Sequence, residues 1–295
     1  MVKAQSASLP YFQSSRKNHS RIFEIDFLRG FAIFLMIALH ACCVFADVGP
    51  HGMISLPNNA DNLPWVEKTV DFAYWKVFCT IDFGNLWILE FFFSSLFMFL
   101  CGVSCSFSHS NFSRGLKLAA LSLAMTLALE IADTAFGLNI HIYLGILHSM
   151  AIGILFYTLV DHFWKSYWVD YGFGILFSIF DMLIFYFTYT GVNTVSATEA
   201  ILPQDWWQLF LGTRRSGADY FSPVNTLAFI FLGATVGKTL YHNKKSFLPA
   251  SFPTAWAKPI LWCGSNSLLI YIFHMPFFYA LVTLILLPFG YRLNW

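Results

Sequence analysis

Charge is what this chain has least of. Only 11% of its 295 residues are Asp, Glu, Lys or Arg, whereas a soluble domain carries about a quarter. The formal net charge is +1, and no basic tract is long enough to follow a phosphate backbone, so nucleic acid drops out as a partner. Six cysteines are present, but Cys42, Cys43, Cys101, Cys105 and Cys263 lie in or beside apolar runs, leaving only Cys79 in a long polar loop. That placement implies no disulfide framework. Cys101 and Cys105 share a helix face at i, i+4 within an apolar run. They read as core, and no metal is expected. An internal repeat of the kind that marks inverted-repeat transporters is also missing.

What the chain does have is apolar and aromatic surface. Hydrophobic residues make up 57% and aromatic residues 19%, led by 34 phenylalanines, the composition of an integral membrane protein with interfacial aromatic belts. Runs of spanning length occur at about 27–46, 86–106, 115–136, 144–161, 168–188, 221–241 and 260–287. The expected fold is therefore all-α: a seven-helix transmembrane bundle, with a kink in the last helix at Pro276. Residues 1–20 read as a polar cytosolic tail and 21–295 as a single transmembrane domain. Val44-Phe45-Ala46 has the look of a signal-peptidase site, but the run before it is long for a signal segment and carries polar residues, so it reads as a retained first helix.

With the N-terminus inside, twelve of the lysines and arginines fall on the inner side and five on the outer, which places the C-terminus outside. The two long connections, roughly 47–85 and 189–220, are then both external. The second contains QDWWQLFLG, Gln204 to Gly212. It is too short to span and rich in tryptophan, so a re-entrant or interfacial helix is expected before the sixth span.

Ionisable groups in lipid are costly, and a helix that keeps several usually aims them at a site. The first run, IDFLRGFAIFLMIALH, keeps three. At about 100° per residue, Asp26, Arg29, Ile33, Ile37 and His40 share roughly a quarter of the circumference, and Arg29 to His40 is about 16 Å of rise. The plainer alternative is that Asp26 and Arg29 cap and anchor the helix start while His40 is a satisfied core histidine. Further along, Glu90 begins the second span and His148 lies one turn into the fourth. Asp219 and Tyr220 precede the sixth, with Pro223 close to its first turn. Ser267, Tyr271 and His274 share a face of the seventh. All gather in the outer half, the setting for proton transfer between histidine and carboxylate. Asp181 and Glu130, taken singly, read as satisfied structural residues.

The segment EIDFLRGFAIFLMIALH, Glu24 to His40, resembles the first-helix signature of two related sets of membrane acyltransferases. These are the acyltransferase-3 family and the heparan-α-glucosaminide N-acetyltransferase catalytic-domain-like family. Three later segments favour the second: LFMFLCGVSCSFSHSNFSRGLK, Leu96 to Lys117; LGILH, Leu144 to His148; and DYFSP, Asp219 to Pro223; GSNSLLIYIFHMP, Gly264 to Pro276, is a final match. Cys101 stands where members commonly carry serine, and Val224-Asn225-Thr226 where they carry a Pro-aromatic step.

The resemblance implies transfer of an acetyl or other acyl group from cytosolic acyl-CoA, most simply acetyl-CoA, to an acceptor across the membrane, commonly a sugar. The length fits the short prokaryotic members, and so a bacterial or archaeal plasma membrane. In a mechanism compatible with the residues, Arg29, positioned by Asp26, would hold CoA phosphates with Arg114 and Lys117. His40 would act as base or acyl carrier, oriented by His148, His274 or Asp219, with Glu90, Tyr220 and Tyr271 around the acceptor. In the lysosomal branch the key histidine lies in the loop after the first helix, which makes His51 a second candidate beside His40. Two other classes fit the polar residues in a generic way: a proton-coupled carrier, and a noncatalytic scaffold in which they join helices.

Overall fold

The computed structural model describes residues 22–49, 53–57, 61–71, 87–136, 141–189, 206–214, 219–248 and 255–293. His51, Cys79 and the 1–20 tail lie outside the described residues, and so does the side chain of Glu90. The elements in order are α1 (Phe23–Ala46), β1 (Ile54–Ser55), α2 (Pro64–Asp71), α3 (Trp87–Cys105), α4 (Asn111–Phe136), α5 (Ile146–Phe163) and α6 (Tyr167–Tyr189). There follow α7 (Trp206–Leu211), α8 (Pro223–Thr239), α9 (Lys258–Ser265), α10 (Ser267–Leu286) and β2 (Arg292–Leu293).

Among the described residues, five helical stretches are long and apolar enough to cross a membrane: Phe23–Phe45, Asn111–Ala135, Ile146–Phe163, Tyr167–Phe187 and Ser267–Phe289. The chain is an all-helical, multi-pass membrane protein. The seventeen-residue α8 is shorter, and its buried positions, from Pro223 and Val224 through Phe231 to Gly237, run all round the helix. A helix covered on every face belongs in the centre of the bundle. It packs on α3, α5 and α6, with Phe231 at the middle of a ring cluster formed by Phe156, Tyr157, Phe173 and Phe177. By contrast α6 leaves Ile175, Leu176, Ile179, Phe180, Leu183 and Tyr186 exposed, an apolar face suited to acyl chains.

Two close crossings rest on glycine. A Cβ at Gly102 or Gly233 would run into the backbone of α8 or α3, at the carbonyls of Ile230 and Phe99. Gly30 and Gly264 likewise press α1 onto α9, where a Cβ would meet the carbonyls of Ile260 and Asp26. Without a hydrophobic force between helices in lipid, close backbone approach of this kind supplies the packing. The small residues thus serve contacts within one chain.

The last hydrophobic segment differs from the single kinked helix expected over 260–287. It is divided into α9 and α10, and the division falls at Asn266 (φ −112°, ψ 19°), not at Pro276, which sits inside α10. Asn266 turns its Nδ2 back onto the Trp262 carbonyl at 2.9 Å, so the side chain competes with the helix for a backbone acceptor. In the 189–220 connection the short helix is α7, six residues long.

Pairwise contacts sort the helix ends into two sets. The start of α1, the end of α3 and the start of α4 meet through Arg29, Ser104 and Arg114. The end of α5, the start of α6 and the end of α8 meet through an ion-paired trio: Lys238 Nζ lies 2.6 Å from Asp161 Oδ1 and 2.7 Å from Asp170 Oδ2. At the opposite end the start of α5 meets the segment before α8. There the end of α1 meets α10, with the Tyr279 hydroxyl donating to Asp47 Oδ2 at 2.9 Å. A small lobe closes this end, where β1 pairs antiparallel with β2, Ile54 opposite Leu293. The buried Tyr291 hydroxyl accepts from Leu63 N at 3.0 Å and donates to Asn62 Oδ1 at 3.2 Å.

Candidate functional site

The segment before α8 is stitched to the start of α5. Phe221 N donates to the Leu144 carbonyl at 3.0 Å, the Ser149 hydroxyl donates to the Phe221 carbonyl, and Ile146 N donates to Asp219 Oδ2 at 3.2 Å. The N-cap of α5 is Gly145, which has no side chain to offer, so a carboxylate from a distant segment satisfies the first N–H of the helix. The positive end of the helix dipole favours an anion there. The approach is close enough that a Cβ on Gly145 would stand 2.5 Å from Asp219 Oδ2. The same oxygen accepts the Tyr271 hydroxyl of α10 at 2.7 Å. Burial pushes the Asp219 carboxyl above its ordinary value, while Tyr271, the Ile146 N–H and the nearby imidazoles of His40 and His148 pull it down.

Two imidazoles, His40 and His148, lie close enough to act on this carboxylate, a third, His274, stands beside His40, and their protons follow from their partners. His40 Nδ1 meets the Met36 carbonyl at 3.0 Å, and His274 Nδ1 meets the Tyr271 carbonyl. A carbonyl only accepts, so both rings carry a proton on Nδ1, and Nε2 is the nitrogen left to exchange one. The two rings stand edge to face with centroids 4.9 Å apart, and His274 Nε2 is buried without a hydrogen-bond partner among the described residues. His148, from α5, is 7% exposed and bonds through Nε2 to Thr126 Oγ1 of α4 at 3.0 Å. The cluster can take a proton from a bound hydroxyl or amine and hold the resulting positive charge against Asp219.

At the other end of α1, Ser104 is the hub. Arg29 Nη2 donates to its hydroxyl at 2.6 Å, and Arg114 Nη1 reaches its carbonyl at 3.4 Å and Asn111 Oδ1 at 3.2 Å. Asp26 Oδ1 lies 3.4 Å from Arg29 Nη1. The oxygens that hold Arg114 are uncharged, so they leave its positive charge standing. Lys117 is exposed on the next turn of α4. Cys101 and Cys105 are buried free thiols, hydrogen-bonded to each other beside Arg114.

The structure therefore brings His40, His148, Asp219, Tyr271 and His274 together at one end, and Asp26, Arg29 and Arg114 at the other. The Tyr220 hydroxyl donates to the Leu209 carbonyl and fixes α7 to the segment before α8. Thr126, Ser104 and Asn111 were not legible as site residues. Each is a small polar residue in an apolar helix, and only tertiary contact gives it a role. Asp181 accepts Asn225 Nδ2 at 2.8 Å. Glu130 and Asp133 flank His141, at 3.0 Å from Nδ1 and 3.1 Å from Nε2. No group of His, Cys, Asp and Glu fit to hold a metal ion occurs among the described residues.

Fold and site together define a multi-pass helical membrane protein with a buried histidine–carboxylate cluster at one end of its bundle and an arginine cluster at the other. The family model for "Heparan-alpha-glucosaminide N-acetyltransferase, catalytic" matches residues 67–276, well over half of the chain, and the chain belongs to that family. The matched span holds Arg114, Lys117, His148, Asp219, Tyr271 and His274, whereas Asp26, Arg29 and His40 precede it. No individual curated protein and no solved structure matches the chain.

Proposed function

We propose that this protein is a membrane-embedded acyltransferase that moves an acetyl or other acyl group from cytosolic acyl-CoA to an acceptor, a sugar or glycoconjugate, on the far side of the membrane. The observation that carries the reading is the convergence of LGILH and DYFSP on one carboxylate. Asp219 joins them, with His40 and His148 close to it and His274 against His40, in a chain of an acetyltransferase family. The lysine and arginine bias puts the Arg29 end of a seven-span bundle in the cytosol. Arg29 and Arg114 would then meet CoA phosphates as charge-assisted contacts, with Lys117 at the mouth. About 16 Å along α1, the pantetheine arm would bring the thioester to His40. There the imidazoles take the acceptor's proton and Asp219 steadies the charge. Tyr271 holds Asp219, and the acceptor contact of Glu90 and the alternative base His51 rest on the sequence alone. The membrane is a bacterial or archaeal plasma membrane in this reading.

Radiolabelled acetyl-CoA and detergent-purified protein provide the test. Arg114→Ala and Arg29→Ala are expected to weaken acyl-CoA binding about 10- to 100-fold, the worth of one charged hydrogen bond. His40→Ala should remove transfer while leaving binding intact. If wild type binds no acyl-CoA of any chain length, the transferase reading fails and a proton-coupled carrier using the same histidines takes its place.

A further inference from the structure

Thr126 lies in the apolar middle of α4 and touches none of the groups to which the sequence assigns chemistry except one. Its hydroxyl has a single proton, and that proton is committed: Oγ1 donates to the Ile142 carbonyl at 2.8 Å. The same oxygen lies 3.0 Å from His148 Nε2. A hydroxyl whose proton is spent can only accept there, so Nε2 must be the donor and carry the hydrogen. The remaining ring nitrogen, Nδ1, is buried and has no hydrogen-bond partner among the described residues. A proton on Nδ1 in the resting state would be a buried donor with nothing to accept it, at the full desolvation cost of that group. The resting ring is therefore neutral, with Nδ1 bare. His40 and His274 are set the opposite way, protonated at Nδ1 by carbonyls of their own helices.

We infer that Thr126 is a positioning residue that locks His148 as the Nε2–H tautomer, and that His148 Nδ1 is the base that takes the acceptor's proton. This deepens the acyltransferase reading and its catalytic half rests on it. In the step, the acceptor's O–H or N–H bond breaks as its proton passes to Nδ1. The acyl carbon gains that oxygen or nitrogen and loses the CoA sulfur, and the sulfur leaves as thiol after taking the proton back from Nδ1. While Nδ1 holds the proton the ring is cationic. Thr126 Oγ1 then accepts a charged N–H bond, stronger than the neutral one, and Asp219 lies close enough to feel the charge. The support is thus worth more in the transition state than at rest, which is what raises kcat.

Two readouts test this. In detergent-solubilised wild type labelled with nitrogen-15 histidine and assigned against His148→Asn, the His148 ring should show a protonated Nε2 and a bare Nδ1, the reverse of His40 and His274. A His148 protonated on Nδ1 overturns the inference whatever the protein catalyses. In the acetyl-transfer assay, Thr126→Val should lower kcat about 10- to 100-fold, the worth of one hydrogen bond to a charged group, with KM for acetyl-CoA unchanged. Thr126→Ser should restore it. Thr126→Ala carries the same expectation if the valine variant does not fold. Wild-type kcat in both hydroxyl-deleted variants overturns the role of Thr126 and leaves the transferase reading standing. A wild type with no transfer at all sinks the transferase reading and the base assignment with it, and the ring spectrum then decides the tautomer by itself.

Discussion

Asp219 can be removed in two ways that the structure separates. One carboxylate oxygen accepts both Ile146 N at 3.2 Å and the Tyr271 hydroxyl at 2.7 Å. Asp219→Asn keeps an amide oxygen at that place, so both donors stay paired and only the charge goes. Asp219→Ala strands two donors away from water. Each unsatisfied group costs about 1–3 kcal/mol, so the alanine variant should lose about 2–6 kcal/mol, or about 5–20 °C in thermal midpoint by the scaling for chains of this order. The asparagine variant should stay close to wild type, because the weaker neutral bonds are offset by relief from burying a charge. Both variants should lose acyl transfer while keeping acyl-CoA binding, which is proposed for the other end of α1. Thermal unfolding in detergent, followed by size-exclusion of the heated samples, reads the stability. An alanine variant as stable as wild type would refute the capping argument.

The same carboxyl fixes a pH dependence. Burial raises its folded value above the ordinary one, which is about 3.9 for aspartate. The native state therefore prefers the protonated form. That preference stabilises the fold most below the ordinary value and is lost as pH rises through the raised one. Activity has the opposite sense, since the carboxylate that steadies an imidazolium exists only above the raised value. The acid limb of kcat should lie above the ordinary carboxylate range, and Asp219→Asn should remove the part of the stability profile that falls with rising pH.

Gly145→Ala should disable transfer more than it destabilises the fold, since its Cβ would stand 2.5 Å from Asp219 Oδ2 and displace the carboxylate; wild-type kcat in that variant would contradict the packing. Lys238→Met should destabilise by about 3–5 kcal/mol, because it leaves Asp170, whose side chain is 0% exposed, without its cation. Adding Asp170→Asn should recover most of that loss in the same unfolding assay, and no recovery would show that the ion pair is not the cause.

How much of this was legible in the sequence depended on whether a residue's role is set by its own helix. Tyr271 and His274 lie three apart on one helix face, and periodicity alone put them together; the structure adds that the first donates to Asp219 and the second to a backbone carbonyl. Arg29 and His40 were likewise readable as opposite ends of one stripe. Thr126 was not, because a threonine among leucines and alanines bonds its own helix in most settings, and its link to His148 needs the Ile142 carbonyl brought from the next segment. The break before α10 was missed for a related reason. Proline drew the prediction to Pro276, where lost backbone bonding is tolerated within α10, while Asn266 breaks the helix through a side-chain bond that periodicity does not weigh.

The two clusters are held by different devices, and that bears on how they work together. At the Arg29 end, α1 is gripped by backbone contact: Gly30 and Gly264 leave no side chain between α1 and α9, and Arg29 crosses to Ser104 on α3. Glu24 Oε1 also accepts Phe247 N and Leu248 N, at 2.6 and 3.0 Å, tying the segment after α8 to the first turn of α1. At the His40 end, α1 touches the cluster through one ring against His274, whereas His148 and Asp219 are bound into α4, α5 and the start of α8 by directed hydrogen bonds. The firmly bonded part of the histidine–carboxylate cluster is therefore the part that the family match covers, and His40 is the part that approaches it from outside that span. A group that must keep its tautomer and its distance to a carboxylate belongs on the rigid side. A group that must meet an arm delivered along α1 belongs on α1 itself, and this division is the physical reason to place the base at His148 and the thioester beside His40.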